Sequence, residues 1–545
     1  MPAAVRMPSI SLPENCGGLA DGGRRVLPGC RPFFSWPSGV GLASCAAMSA
    51  PSSSSAPWWR QLTGYHWFVF AVASAAWFFD CLDQRLFSLA RNPALASLMN
   101  LPAGHIDVQN FGKVVTACFL IGWGVGGMIF GSLGDKFGRA KMLTLTILIY
   151  SVFTGLSFFS RTAVDFTIFR FLTGLGVGGV FGLAVALIAE TVPSGARVQS
   201  LGLLQVLSTV GNVSAVFAKM GVDALEASKV IEPGRGWRWM FLVGALPALM
   251  VIFTRKYLKE PDSWLHLKAT GRLPKGSIFA PYRDLLASVR WRKNLAVGAL
   301  IASTGVIGLW AIGEYAVDLQ SAVFKSHYEA QAPAEMLALV QQKRAAVAQI
   351  PAGTAERKAA DAELKKMEAP LDAITKPKVD WSKNLAYFLN MLGAAVGMWL
   401  FTRLAKFAGR RVAFFVGFSC ALVATAFVYW KMNSPQDAYW MMPLMGAAQL
   451  GPFAGFAIYL PELFPSRLRS TGTSFCYNLG RFAAAAGSFY SSELTKVFAK
   501  THAAPLPYRY SAIAMCAIFF VGLVTVFFAP ETKGQPLPEE EAGAV

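Results

Sequence analysis

Two carboxylates and a guanidinium fall where a lipid bilayer should exclude them. Asp80 and Asp83 lie inside the first long apolar stretch, which begins near Tyr65. The fifteen residues from there to Asp80 (80 − 65 = 15) rise only about 22 Å as a helix, short of a hydrocarbon layer about 30 Å thick. Arg170 sits about seven residues from the outer end of the fourth apolar stretch and Asp83 about seven from Ala90, so both lie roughly 10 Å deep. Each buried charge costs about 2.5–3.5 kcal/mol on insertion scales, so these groups need a wet cavity or one another. A carboxylate that gains and loses a cationic partner changes its hold on a proton. Asp80, Asp83 and Arg170 are therefore candidates for proton coupling. The alternative is that the first helix ends early and both aspartates are ordinary outer-surface residues.

Other spans carry polar side chains of suitable type and depth to line a cavity: Gln205, Asn212, Glu314, Tyr315, Asn390, Gln449, Asn478 and Arg481. Arg481 lies about ten residues into the eleventh apolar stretch, near mid-membrane, where an unpaired cation suits a carboxylate ligand. It equally suits a structural role as partner to a carbonyl or an acid.

The elements that must position these residues follow from composition. Of 545 residues, 54% are hydrophobic and only 15% charged, and the apolar content comes in long blocks. Twelve blocks are long enough to span a bilayer, near 65–90, 112–133, 140–160, 163–189, 197–219, 237–257, 295–317, 382–403, 411–430, 439–460, 471–492 and 509–529. The pattern predicts an all-α membrane protein of twelve helices. Basic residues cluster in alternate loops, among them Lys136, Arg139, Lys141, Arg403, Lys406, Arg410 and Arg411, and in the long connection after the sixth span. By the positive-inside rule those loops and both termini face the cytoplasm, which accounts for the net charge of +19 without nucleic acid.

The basic loops repeat. ETVPSGAR at 190–197 returns as ELFPSRLR at 462–469 (462 − 190 = 272), and Gly138-Arg139 returns as Gly409-Arg410 (409 − 138 = 271). Two landmarks sharing nearly one offset mark a duplicated six-helix unit, the construction of alternating-access transporters. The predicted organisation is an unstructured extension at 1–64, a first bundle at 65–257, a cytoplasmic linker at 258–294, a second bundle at 295–529 and a tail at 530–545. Met48 opens MSAPSSSSAPWW and is a candidate true start. About sixty residues separate the seventh and eighth spans, and an outside insertion at about 319–381 is expected to form a helical hairpin. Pro333 would begin its first helix, and Ala360, Leu364, Met367, Leu371 and Ile374 would make one apolar seam on the second. Such a hairpin is a packed decoration or a lid.

GSLGDKFGRAK, from Gly131 to Lys141, resembles the loop between the second and third helices of the major facilitator superfamily. The resemblance implies two pseudo-symmetric six-helix bundles and a lock on the cytoplasmic side in which Gly131, Asp135, Gly138 and Arg139 take part. Glu190, Arg197, Arg410, Glu462 and Arg469 are the other expected gate residues. Thr402 and Lys406 replace Gly131 and Asp135 in the second copy, so the lock should be asymmetric. APETKGQPLPEE and KEPDSWL resemble motifs of sugar porters, while Asp80-Cys81-Leu82-Asp83 resembles the DGxD pattern of aromatic-acid proton symporters with Cys81 in place of glycine. Asp83 and Arg170 also match the first-helix aspartate and fourth-helix arginine of proton-linked sugar porters. Ile301-Ala302-Ser303-Thr304-Gly305 lacks the paired glutamines sugar porters carry there, which turns the expectation from sugars toward a carboxylate or aromatic acid. The implied activity is proton symport of a small organic solute across a bacterial inner membrane, by a chain acting as a monomer. A sugar or polyol symporter and a non-transporting sensor of the same fold are the alternatives.

No cofactor or metal site is expected. The eight cysteines form no CxxC pattern, and none of the five histidines sits deep in a span. Gly174, Gly176 and Gly179 satisfy GxGxxG but lie inside an apolar span, where small residues serve helix packing rather than dinucleotide binding. No GxxxxGK[ST] run offers ATP chemistry, and no catalytic cluster points to an enzyme.

Overall fold

The computed structural model describes residues 57–101, 106–232, 234–350, 354–502 and 505–539, and the regular structure among them is helical throughout. The first half comprises α1 (Gly64–Met99), α2 (Ile106–Phe137), α3 (Arg139–Leu156), α4 (Ala163–Thr191), α5 (Ser194–Ala227) and a sixth span built from α6 (Gly236–Gly244) and α7 (Met250–Tyr257). Two short helices, α8 (Asp262–Ala269) and α9 (Ala280–Ala287), form the connection. The second half holds α10 (Val289–Ile307), running through a π-helical turn into α11 (Gly313–Glu329), then α12 (Ala334–Ala348), α13 (Ala355–Ala408), α14 (Arg410–Lys431), α15 (Pro435–Glu462), α16 (Arg469–Ala499), α17 (Leu506–Met515) and α18 (Ile518–Phe528).

Eleven spans among the described residues are long and apolar enough to cross a membrane. The twelfth, α16, has the length and lacks the apolarity, because Ser470, Thr471, Thr473, Ser474, Asn478 and Arg481 all lie on it. All six are buried. Its polar groups face protein, which is what a hydrocarbon surround demands of a helix whose backbone already satisfies itself.

The duplication is visible in how helices touch. A Cβ on Gly122 or Gly126 of α2 would fall 2.3 or 1.9 Å from the carbonyls of Phe171 and Leu175 on α4. A Cβ on Gly393 or Gly397 of α13 would fall 2.0 or 2.1 Å from those of Pro443 and Ala447 on α15. The offsets are again 271 for the glycines (393 − 122) and 272 for the partners (443 − 171). One close small-residue contact has thus been built twice. The glycines of the GxGxxG run serve the same purpose: a Cβ on Gly174 would come within 2.3 Å of the Phe119 carbonyl.

The starts of α3 and α14 match as well. Gly138 and Gly409 precede them with φ of +113° and +98°, a region glycine enters freely. Glu260 then accepts from the backbone N–H of Ala140 and Lys141 at 3.1 and 3.0 Å, and Glu531 from those of Arg410 and Arg411 at 2.9 and 3.1 Å. Each carboxylate fills the space a Cβ on the glycine would take, at 2.2 and 2.6 Å. Both acids sit on the segment following the last span of their half, so each bundle's end is tied to its own basic loop.

Three expectations need correction. The stretch at 57–64 is structured: Trp58–Gln61 forms a 3-10 turn, and Trp58 packs on Trp67 with ring centroids 6.2 Å apart. The rest of the expected extension, Met48 included, lies outside the described residues. The first span runs past 90 to Met99 with Pro93 inside it. The second helix of the hairpin does not end before the eighth span, because α13 is continuous over 54 residues through Pro370 and Pro377. Of its expected seam Leu371 is buried while Ile374 is exposed. Arg344 holds α12 down by bonds of 2.9 and 3.0 Å to Glu329 and one of 2.7 Å to Glu368. These bonds, the Glu329 pair foremost, raise the pKa of the guanidinium.

Burial alone would raise the Glu531 carboxyl, but the N–H groups of Arg410, Arg411, Lys533 and Thr532 outweigh it and hold the group below the usual glutamate range. A carboxyl depressed in the folded state stabilises above its unfolded pKa of about 4.3, and the contribution is lost as pH falls through the folded value. Thermal melts of wild type against Glu531→Gln should therefore show a gap that is full at pH 6 and closes on acidification below about pH 4. A gap independent of pH would contradict this cap.

Candidate functional site

Layers of side chains join the two halves, beginning at the end that carries the basic loops. Asp135, in the last turn of α2, is fully buried. It accepts from the backbone N–H of Ser470 at 3.1 Å and of Thr471 at 2.8 Å, and from the Thr471 hydroxyl at 2.6 Å. A carboxylate of the first half thus caps the first turn of α16 in the second, where the free N–H groups and the helix dipole favour an anion. Arg139 pairs with Asp135 and Glu190, both at 3.1 Å, and Glu190 in turn pairs with Arg469 at 2.8 Å. Arg139 also donates to the Ser466 carbonyl. The chain Arg139–Glu190–Arg469 therefore crosses between the halves, and all three groups are buried. Gly131 is needed here because a Cβ would meet that of Ser474 at 2.5 Å.

The second copy is different. Arg410 pairs with Glu462 at 2.7 Å, and Thr532 donates to the same carboxylate at 2.6 Å, all within the second half. Thr402 bonds the Met398 carbonyl on its own helix and lies against Gly202. Arg197 makes no ion pair among the described residues, and its Nε is buried without a partner. The interlock is one-sided: the first half supplies both carboxylates that cross it, Asp135 to the first turn of α16 and Glu190 to Arg469. The connection braces it: the Trp264 indole donates to the Asp135 carbonyl at 3.0 Å, and Asp284 of α9 pairs with Arg467 at 2.8 Å.

The middle layer is aromatic around one cation. Arg481 is 1% exposed. Its guanidinium carbon lies 3.8 Å from the Trp123 ring centroid and 4.4 Å from that of Tyr477. One N–H donates to the Tyr477 carbonyl at 2.6 Å, and Nε has no partner. Among the described residues no carboxylate stands within ion-pair distance of it. Tyr477 stacks on Phe181 at 3.6 Å, Trp77 lies 5.1 Å from Phe181, and Trp123 meets Trp310 of the second half edge-on at 5.9 Å. Trp77 donates to Gln205, which donates to the Phe453 carbonyl at 3.0 Å across the seam. Asn478 donates to Ser474 at 2.7 Å and to Gly178 at 3.3 Å, joining α16 to α4.

The two aspartates are fully buried, which removes the surface alternative. Asp83 accepts from the Thr154 hydroxyl at 2.9 Å and lies 3.7 Å from Arg170. Arg170 donates to Ser157 at 2.7 Å and faces Phe241 at 4.6 Å. Asp80 accepts only from Gln84, at 3.1 Å, and its Oδ2 has no partner. The remaining candidates separate. Asn212 bonds Ser208 at 3.0 Å and Tyr387 at 3.4 Å, whereas Asn390 and Gln449 tie α13 to α15 and α15 to α14 within the second half. The side chains of Glu314 and Tyr315 lie outside the described ones. No group of three metal-ligating side chains occurs among the described residues.

Sequence reasoning missed the aromatic box of Trp77, Trp123, Phe181 and Tyr477, since an aromatic facing a binding site reads like one facing lipid. It also missed Glu260 and Glu531 as caps, although 531 − 260 = 271 repeats the offset already in hand.

Comparison with known proteins agrees with this fold. The family model described as "Sugar (and other) transporter" matches residues 62–279 and 374–543, leaving out α9, α10, α11, α12 and the outer part of α13. The benzoate transport protein of Acinetobacter baylyi is 24% identical over 491 residues, covering 88% of this chain and 92% of its own. The cis,cis-muconate transport protein of the same organism is 24% identical, over 78% of this chain and 87% of its own. Among solved structures, the proton:xylose symporter XylE of E. coli shares the fold with a TM-score of 0.61 at 16% identity, covering 87% of this chain and 98% of that one.

Asp135→Asn keeps the shape but sets an amide N–H₂ against N–H donors and gives up the pairing with Arg139. Thiol labelling of a cysteine placed at Ser474, buried between the halves, should then accelerate about tenfold as the closed arrangement loses weight. Unchanged labelling would show that Asp135 does not hold this end shut.

Proposed function

The chain belongs to the sugar (and other) transporter family of the major facilitator superfamily, and on that premise we propose that it carries a small aromatic or unsaturated carboxylate together with protons across the cytoplasmic membrane. One observation carries the reading: a fully buried guanidinium, lacking a carboxylate partner, is held in an aromatic box between the two halves. Arg481 offers a fork of N–H donors to two carboxylate oxygens, while Trp123, Tyr477 and their neighbours offer ring faces to a flat body. A sugar would leave the charge uncompensated. The names of the benzoate and muconate relatives support the same class of solute.

The proton side of the reading rests on Asp80, Asp83 and Arg170. Asp80 has no cation in contact and an oxygen without a partner, so it is the group a proton would occupy when the centre is dry. Asp83 is spoken for by Thr154 and Arg170, and protonating it would release Arg170. The cycle then runs in one order. Solute and proton fill the centre, the Asp135 cap on α16 opens at the basic end, and both cargoes leave toward the cytoplasm, the side that the basic loops favour.

Purified full-length protein in proteoliposomes should take up benzoate, with competition from other small carboxylates and none from sugars. Arg481→Gln should weaken benzoate binding about 100-fold, the loss typical of removing one partner of a buried charged contact. Sugar uptake without benzoate uptake would defeat the substrate assignment. Asp83→Asn should still exchange labelled for unlabelled solute but no longer accumulate it against a gradient. Undiminished accumulation by that variant would defeat the coupling role.

A further inference from the structure

We propose that Arg85 is a second carboxylate-binding position, the first guanidinium that a solute meets at the far end of the seam, and that the Tyr387 ring is the lid over it. This rests on the substrate reading above. The basis is a junction of three helices. Arg85 on α1 and Asn212 on α5 belong to the first half, and Tyr387 on α13 to the second. Counted from the basic ends of their helices, Arg85 lies 21 residues up (85 − 64), Asn212 18 (212 − 194) and Tyr387 21 (408 − 387). At 1.5 Å per residue these are heights of about 32, 27 and 32 Å. Arg481, 12 residues up α16 (481 − 469), is at about 18 Å. The junction therefore closes the seam roughly 9–14 Å beyond the central cation.

The Arg85 guanidinium lies 3.6 Å from the centroid of the Tyr387 ring, and the Tyr387 hydroxyl donates to Asn212 at 3.4 Å. Among the described residues the Arg85 side chain makes no hydrogen bond and no ion pair, and its Nε is buried. Asp80 and Asp83 do not neutralise it, since steps of five and two residues along a helix turn it about 140° and 160° away from them. An aromatic face compensates the charge of a guanidinium but satisfies none of its five N–H donors. A carboxylate satisfies two at once. An incoming acid therefore competes with the ring for Arg85. Displacing the ring also breaks the Tyr387–Asn212 bond, which loosens α13 against α1 and α5 at this level. Capture of the anion and opening of the far end are one event, and a neutral solute has no such purchase.

The test is initial-rate uptake into proteoliposomes by the full-length protein, with benzoate as the probe. Arg85→Gln should raise the KM for benzoate about tenfold with the maximal rate kept within about twofold, and Arg85→Lys should recover part of the loss. Tyr387→Ala uncovers the guanidinium. It should lower KM about threefold when Arg85 is present and leave it unchanged in the Arg85→Gln background, a dependence that a merely structural tyrosine would lack. The inference is overturned if wild type transports benzoate in an Arg481-dependent manner while KM is the same in both Arg85 variants, or if Tyr387→Ala acts equally in both backgrounds. A wild type that moves only neutral solutes defeats the substrate reading and this inference with it.

Discussion

A carboxylate buried at the junction of two bundles, with its hydrogen bonds supplied by the opposite one, is the constraint around which the rest is arranged. Asp135 sits at the end of α2, yet the backbone groups that stabilise it begin α16. A charged group in such surroundings has two acceptable states, fully bonded or fully wet. Intermediate separations leave it dry and unpaired. The halves are thereby given two discrete arrangements at this end rather than a continuum, which is the physical requirement for a gate. The Arg139–Glu190–Arg469 chain extends the same logic, since separating the halves strands a charge on each side.

The rigid parts are those that must move as bodies. Close glycine contacts weld α2 to α4 and α13 to α15, and Glu260 and Glu531 tie the end of each half to its own basic loop. Between the halves lie Asp135 and Glu190 with the start of α16 at one end, Gln205, Asn478, Arg481 and the Phe181–Tyr477 and Trp123–Trp310 ring contacts in the middle, and Arg85 with Tyr387 at the other. Glycine-to-backbone packing within each bundle and side-chain contacts between them suit a molecule that rocks about a central site.

Much of this was legible in the chain. The 271–272 residue offset revealed the duplication, and the cost of charge in hydrocarbon singled out Asp80, Asp83, Arg170 and Arg481 before any contact was known. Depth counting paired Asp83 with Arg170 from a first span ending at Ala90; α1 runs on to Met99, so their pairing rests on the 3.7 Å contact and not on the count. Other features were not legible for definite reasons. Polar residues such as Asn390 and Gln449 look alike whether they line a cavity or pin neighbouring helices, because periodicity does not say which neighbour a face meets. Trp123 and Tyr477 could not be told from lipid-facing aromatics. Arg85 points away from the aspartates of its own helix, and its contact is a residue of the other half, about three hundred positions along (387 − 85 = 302). The continuity of α13 was hidden by two prolines that sequence rules treat as stops.

The most direct measurement of the central claim is the movement of charge and protons with the solute. Proteoliposomes loaded with a pH-reporting dye, held without a potential or a pH gradient, are given benzoate outside. If buried acids and the central arginine form one coupled device, the lumen should acidify as labelled benzoate enters, and Asp80→Asn should uncouple the two signals. Benzoate entry with no accompanying proton in the wild-type protein would contradict the account.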